Sequence, residues 1–259
     1  MAKPMIRSER YEPISLEFVG LPGSGKTSAE LLLTKELASR ALQVHSFRDF
    51  AEYFRKPPLL TGARLSGIRE LKRLGLSFDE VKRLNVKDPE LSGPLRIYRN
   101  NVLRIIESGG LSGLAIRNSL LWLDSELKAF HAWNTRANSN SPGRVLIADE
   151  AFTHRSTALF AAGEFNQESL RLNLELRPKF TFVVFLPVGL KESRLRKDGP
   201  AFQDESMRHK TGDILERQLE VVRSFQQLLP QEQMIIVNNG ASTSEVVHDI
   251  VKRIEAHTA

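Results

Sequence analysis

The sequence predicts an α/β fold: a five-stranded parallel sheet of strand order 2-3-1-4-5, with helices on both faces and a helical insertion. Three observations predict it. Five short apolar segments alternate with helical stretches, and parallel strands need such crossovers and read as apolar runs because both faces are buried. The first segment runs straight into a glycine-rich loop and then a helix. The second and third segments are each followed closely by an acid. That puts carboxylates at the same edge of the sheet as the loop.

The elements follow in order. Residues 14–19, ISLEFV, form the first strand, and residues 28–42 a helix with Ala29, Leu33, Leu37 and Ala41 on one face. Residues 43–47 are the second strand. From 55 to 138 the chain turns helical and basic, with breaks at Pro57-Pro58, Gly75, Pro89, Gly93-Pro94 and Gly109-Gly110. A structureless loop of that length is uncommon inside a compact domain. The stretch is therefore expected as a substrate subdomain on the rim of the sheet, closed by the turn SNSPG at 139–143. Residues 144–148, 180–186 and 233–237 are the remaining strands. The last helix starts near Ser244, with Val246, Val247, Ile250, Val251 and Ile254 spaced for one buried face. Residues 1–259 read as a single domain.

Composition narrows the class. At 259 residues, 41% hydrophobic and 26% charged, the chain has ordinary globular values. It has no cysteine, so disulfides, thiolate metal sites and a cysteine nucleophile are excluded. No apolar run approaches the roughly 20 residues of a membrane span, and residues 1–10 lack the apolar core of a signal peptide. A cytoplasmic protein is expected. The net charge of +6 and pI of about 9.6 suit an anionic partner, or serve solubility alone.

Gly20, Leu21, Pro22, Gly23, Ser24, Gly25, Lys26 and Thr27 fit G-x-x-x-x-G-K-[ST] at every fixed position. Glycines let successive backbone N–H groups point at phosphates, and the following helix aims its positive end at the same anion. Lys26 then reaches the β- and γ-phosphates, and Thr27 offers its hydroxyl to Mg²⁺. ATP with Mg²⁺ is the expected nucleotide, held by residues 20–27 with Ser28. The segment VLIADE, residues 145–150, ends an apolar strand in acids. Asp149 there is the second expected Mg²⁺ ligand.

Taken together, residues 20–27, the Arg48-Asp49 pair, residues 149–156 and residues 192–197 resemble the thymidylate kinase and deoxynucleoside kinase group of P-loop kinases. The resemblance implies ATP-dependent phosphoryl transfer to a small molecule, a nucleoside or nucleoside monophosphate, with Lys26 acting on the transferred phosphate. It makes Arg48 a phosphate clamp and Asp49 the acid near the acceptor, at the end of strand two. Glu150 is a second candidate for that acid. Arg155, about one turn into the next helix, faces the site. His154 reads as a solvated helix residue. Residues 188–210 resemble the family's cationic lid, with Arg194 and Arg196 meeting the phosphates. Asn238, with Asn239, follows the last strand, where the family's loop lies near the adenine. Phe50, with Tyr53 and Phe54, reads either as a stacking surface for the acceptor or as core.

Other readings stay open. A sugar or glycan precursor is the alternative acceptor. A nucleotide-dependent switch or ATPase is an alternative of another class. So is a DNA-binding regulator, because residues 68–84, IRELKRLGLSFDEVKRL, resemble a helix-turn-helix phrase with a Ser77–Glu80 capping box. The same phrase fits a helical hairpin, so nucleic acid is disfavoured as a partner. No membrane partner is expected, and a homodimer is left open.

Overall fold

The structure, a computed structural model, describes residues 12–55, 93–108, 113–137, 143–163, 166–186, 205–237 and 240–258. Strands β1 (Ile14–Val19), β2 (Gln43–Ser46), β3 (Arg144–Ala148), β4 (Phe182–Phe185) and β5 (Met234–Ile236) form one sheet in the order β2-β3-β1-β4-β5. Every neighbouring pair is parallel. This is the expected α/β arrangement of a P-loop fold, with the strand that feeds the glycine loop at its centre. Both edge strands are short, four residues in β2 and three in β5.

The described helices are α1 (Lys26–Ser39), α2 (Phe47–Arg55), α3 (Gly93–Ser108), α4 (Gly113–Ala137), α5 (Phe152–Ala162), α6 (Gln167–Leu176), α7 (Glu205–Leu228) and α8 (Thr243–Thr258). None is long and apolar enough to cross a membrane, among the described residues. Strand alternation sorts their partners. Ile14, Leu16, Phe18, Val145 and Ile147 point to the face covered by α1 and α8, where Leu33, Leu37 and Ile250 bury them. On the opposite face Val19, Val183 and Phe185 meet Phe160, Leu170 and Phe225 of α5, α6 and α7. Ser242 and Glu245 cap α8 reciprocally: the Ser242 N–H donates to Glu245 Oε2 at 2.7 Å, and the Glu245 N–H to Ser242 Oγ at 3.3 Å.

Two expectations need correcting. Strand two ends at Ser46, one residue early, because Phe47 opens α2. Phe47, Phe50, Ala51 and Phe54 recur at helical spacing and are drawn onto the sheet. The stretch 55–138 is not confined to the rim. Its described helices α3 and α4 contribute Tyr98, Val102, Leu127, Phe130 and Trp133 to one buried cluster with Leu146, Ala148 and Phe152. The stripe of Leu123, Leu127 and Phe130 needs an apolar surface, and β3 supplies it.

Phe152 is the hinge of that cluster, fully buried with rings of Phe47, Tyr98 and Phe130 edge-on at 5.9, 5.6 and 5.7 Å. Phe152→Ala should cost about 3–5 kcal/mol of stability. Leu31→Ala, at a side chain 59% exposed, should stay within about 0.5 kcal/mol of wild type. Urea denaturation of both variants checks this, and equal losses would contradict the assignment of this core.

Candidate functional site

After β1 the chain turns through residues 20–25 into α1. Gly23 and Gly25 hold φ of 79° and 89°, a left-handed backbone that strains any residue with a Cβ. At Gly20 the constraint is space. A Cβ there would sit 2.7 Å from Ser24 Oγ and 2.8 Å from the Leu186 carbonyl oxygen. The turn is closed by the Ser24 N–H donating to the Leu21 carbonyl at 3.0 Å. Ser24 Oγ is buried with no hydrogen-bond partner among the described residues. Lys26 is buried, and its Nζ donates to the carbonyls of Gly20 at 3.0 Å and Leu21 at 3.3 Å. Burial lowers its pKa, against the opposing charges of Glu150 and Asp149. The Gly25 cap of α1 makes no side-chain bond, so the helix opens with N–H groups that lack intrahelical acceptors, as any helix does.

The register of β1 on β3 pairs Glu17 with Ala148. The acids that follow Ala148 therefore emerge beside the loop that follows β1. A cavity of about 200 Å³ opens there, lined by Thr27, Asp149, Glu150 and Arg155. Phe47, Arg48 and Ala51 of α2 form one further wall, and Trp122 and Glu126 of α4 another.

Glu150 is the electrostatic centre. Its Oε1 lies 3.9 Å from Lys26 Nζ and 3.3 Å from His154 Nε2, and its Oε2 3.7 Å from Arg155 Nη1. Burial alone would raise its pKa, but His154 first, then Lys26 and Arg155, outweigh that and hold it down at about 2. Arg155 Nε also donates to Glu126 Oε1 at 3.0 Å, and its guanidinium sits 4.5 Å over the Trp122 ring. Arg48 Nη1 lies 3.5 Å from Asp149 Oδ2.

Behind this layer, Glu17 of the central strand is wholly buried. Its Oε1 accepts the His154 N–H at 2.9 Å. The Ala151 cap of α5 makes no side-chain bond of its own, so Glu17 supplies the capping oxygen from another element. His154 is buried, not solvated as its helix position implies. Burial lowers its pKa, Lys26 and Arg155 push the same way, and Glu150 opposes them.

The other expected site residues divide. Thr27, Arg48, Asp149, Glu150 and Arg155 share the cavity, and Lys26 adjoins it through Glu150. Asp49 does not line it. Because α2 begins at Phe47, Asp49 lies in a helical first turn, where its charge acts on Glu30 of α1. Phe50 is fully buried and its ring stacks on His45 at 6.0 Å, so it is core and not an acceptor surface. Arg194, Arg196 and Asn238 lie outside the described residues, as does the phrase at 68–84. Glu126 and Trp122 are the wall residues that sequence reasoning missed. Their signal was a carboxylate inside the apolar stripe of a long helix.

The donor set fits a hard cation. Thr27 offers a hydroxyl and Asp149 a carboxylate, and both residues line the cavity. Mg²⁺ takes one or two protein groups and fills its sphere with phosphate oxygens and water. The left-handed glycines and the orphan Ser24 hydroxyl fit an anion in the loop.

No protein-family model matches the chain, and no curated protein matches it. Solved structures similar to it include deoxyadenosine kinase from M. mycoides with bound dATP, at 10% identity and a TM-score of 0.43 over 93% of this chain and 99% of that one. Another is the same enzyme with dCMP and a flexible dCDP, at 10% identity and 0.42 over 94% and 100%.

Glu30 gives the site a measurable pH signature. Burial first, then Asp149, push its carboxyl up to about 8, against Arg48. An acid whose folded pKa is raised binds more protons folded than unfolded, so its cost grows as pH rises from the ordinary range through 8. Glu30→Gln should therefore match wild type near pH 5 and gain in melting temperature relative to it by pH 8.5. A difference that stays flat across that range would contradict the burial of a charged Glu30.

Proposed function

We propose that this chain transfers the terminal phosphate of ATP, bound with Mg²⁺ by residues 20–28, to a hydroxyl group of a small molecule held in the adjoining cavity. The observation that carries this reading is the sharing of residues. Thr27 belongs to both the phosphate loop and the cavity wall, and Lys26 is linked across Glu150 to Arg155 inside it. A phosphate cradle thus opens directly onto a walled polar pocket. A nucleoside or nucleoside monophosphate is the acceptor implied by Arg48 and the segment 149–156, and a sugar is the alternative within the same chemistry.

Phosphoryl transfer passes through a loose transition state, so positioning and charge carry most of the rate. Thr27 and Asp149 would hold the Mg²⁺, and the ion would neutralise phosphate charge there. Lys26 brings an ammonium to the phosphates, and its lowered pKa is opposed by two neighbouring carboxylates that favour the charged form. Arg48 and Arg155 add positive charge to the cavity, Arg155 held in place by Glu126 and Glu150. Glu150 orients Arg155 and His154.

Purified chain is assayed with ATP and Mg²⁺ against nucleosides, nucleotides and sugars. Lys26→Ala should melt like a folded protein and lose at least about a hundredfold in transfer rate, as for loss of one preorganised transition-state donor. Asp149→Asn should weaken Mg²⁺-dependent nucleotide binding, with partial recovery at raised Mg²⁺. Full turnover in a folded Lys26→Ala variant would remove the kinase reading. Phosphate release with no acceptor modified would replace it with an ATPase.

A further inference from the structure

The proposed transfer needs a group that receives the acceptor hydroxyl, and the two sequence candidates fit the geometry poorly. Asp49 is absent from the cavity lining, and its charge acts on Glu30 of α1. Glu150 lines the cavity, but both of its oxygens are engaged, Oε1 by Lys26 and His154 and Oε2 by Arg155.

Glu126 differs on each count. It projects from α4 into the cavity, although its side chain is only 2% exposed. Its bond and ion pair with Arg155 are both made through Oε1, and Oε2 takes no part in them. A carboxylate this deep is costly unless something uses it. Arg155 is fixed on three sides, by Glu126, Glu150 and the Trp122 ring. The line Lys26–Glu150–Arg155–Glu126 therefore runs from the phosphate loop across the cavity, and Glu126 stands at its far end.

We propose that Glu126 is the acceptor-side carboxylate: its Oε2 binds and orients the hydroxyl that attacks, beside the Trp122 indole. This rests on the phosphoryl-transfer reading. The hydroxyl oxygen bonds to the terminal phosphorus of ATP as the bond from that phosphorus to the bridging oxygen breaks. ADP leaves with that electron pair, and the hydroxyl proton passes to Glu126 Oε2 and then to solvent. Burial holds the Glu126 carboxyl up at about 7, with Arg155 opposing and Glu17 and Glu150 assisting, which suits a group that takes a proton late in the reaction. A carboxylate beside an indole also selects an uncharged, ring-bearing alcohol and repels an acceptor that already carries a phosphate.

The test compares Glu126→Gln, Glu126→Asp and Asp49→Asn in the full chain, with ATP, Mg²⁺ and two probe sets, nucleosides and their 5′-monophosphates. Glutamine keeps an oxygen for Arg155 and loses the charge, and aspartate keeps the charge one methylene short. Either Glu126 variant should bind ATP like wild type by calorimetry and lose about a hundredfold or more in kcat/KM for the nucleosides, the low end of general-base contributions. Asp49→Asn should turn over like wild type. Wild type should prefer nucleosides to monophosphates. If the Gln variant fails to fold, the Asp variant carries the same comparison. A folded Glu126 variant at wild-type turnover, or a loss confined to Asp49→Asn, would overturn the assignment while leaving the kinase reading intact. Absence of transfer by wild type to any alcohol would overturn both.

Discussion

One carboxylate, Glu150, holds three cationic or potentially cationic side chains, and the arrangement of the cavity depends on it. Lys26, His154 and Arg155 come from the phosphate loop and the first turn of α5. At these spacings each pair is worth little in water and much more where solvent is thin. The protein itself makes such an environment here, since Lys26, His154 and Glu126 are buried. Lose the carboxylate and the Lys26 and Arg155 charges face one another in a low-dielectric space, while His154 loses the partner that favours its charged form. The neighbouring ion pairs, Arg48 with Asp149 and Arg155 with Glu126, are arranged on either side of this hub.

The hub is rigid because of what lies behind it. Glu17 sits at the middle of the central strand, where an apolar residue would be expected, and takes the backbone N–H of His154. It fixes the entry angle of α5 and hence the direction of Arg155. Ser156 extends this polar seam, donating to the Phe152 carbonyl at 2.7 Å and contacting Asn173 at 2.8 Å. These bonds tie α5 to β1 and α6, although Glu17 Oε2 and Asn173 Nδ2 stay buried without a hydrogen-bond partner among the described residues, at a cost in stability. The aromatic cluster around Phe152 stands next to the seam and supplies the compensating burial.

What the sequence discloses tracks how local each signal is. The phosphate loop is a contiguous string with fixed chemistry, and Gly23, Gly25, Lys26 and Thr27 are legible from spacing alone. Strand order follows from the same logic, because five apolar runs with crossovers leave few arrangements. For Asp49, one neighbouring residue decides the surroundings. With Phe47 in the strand, Asp49 sits at a sheet edge; with Phe47 opening a helix, it turns towards α1. The recurrence of Phe47, Phe50, Ala51 and Phe54 was the available clue, and it also identifies Phe50 as core. Glu126 is marked only by its place inside the apolar stripe of α4, which does not name its partner or its surroundings. Its partner Arg155 lies 29 residues on, and no periodicity tells which acid on a long helix faces a cavity.

The sheet's margins carry a consequence for how the molecule behaves in crowded solution. A strand at an edge presents unpaired backbone groups that can template another chain, and the hazard grows with its length. Here one margin is four residues long and the other three. Even though Ile236 on the shorter one is 57% exposed, so brief a ladder offers an incoming strand only a bond or two of purchase. Stickiness at that margin is thus a matter of one greasy side chain rather than of backbone pairing, and a single polar replacement there is the simplest route to a more soluble protein.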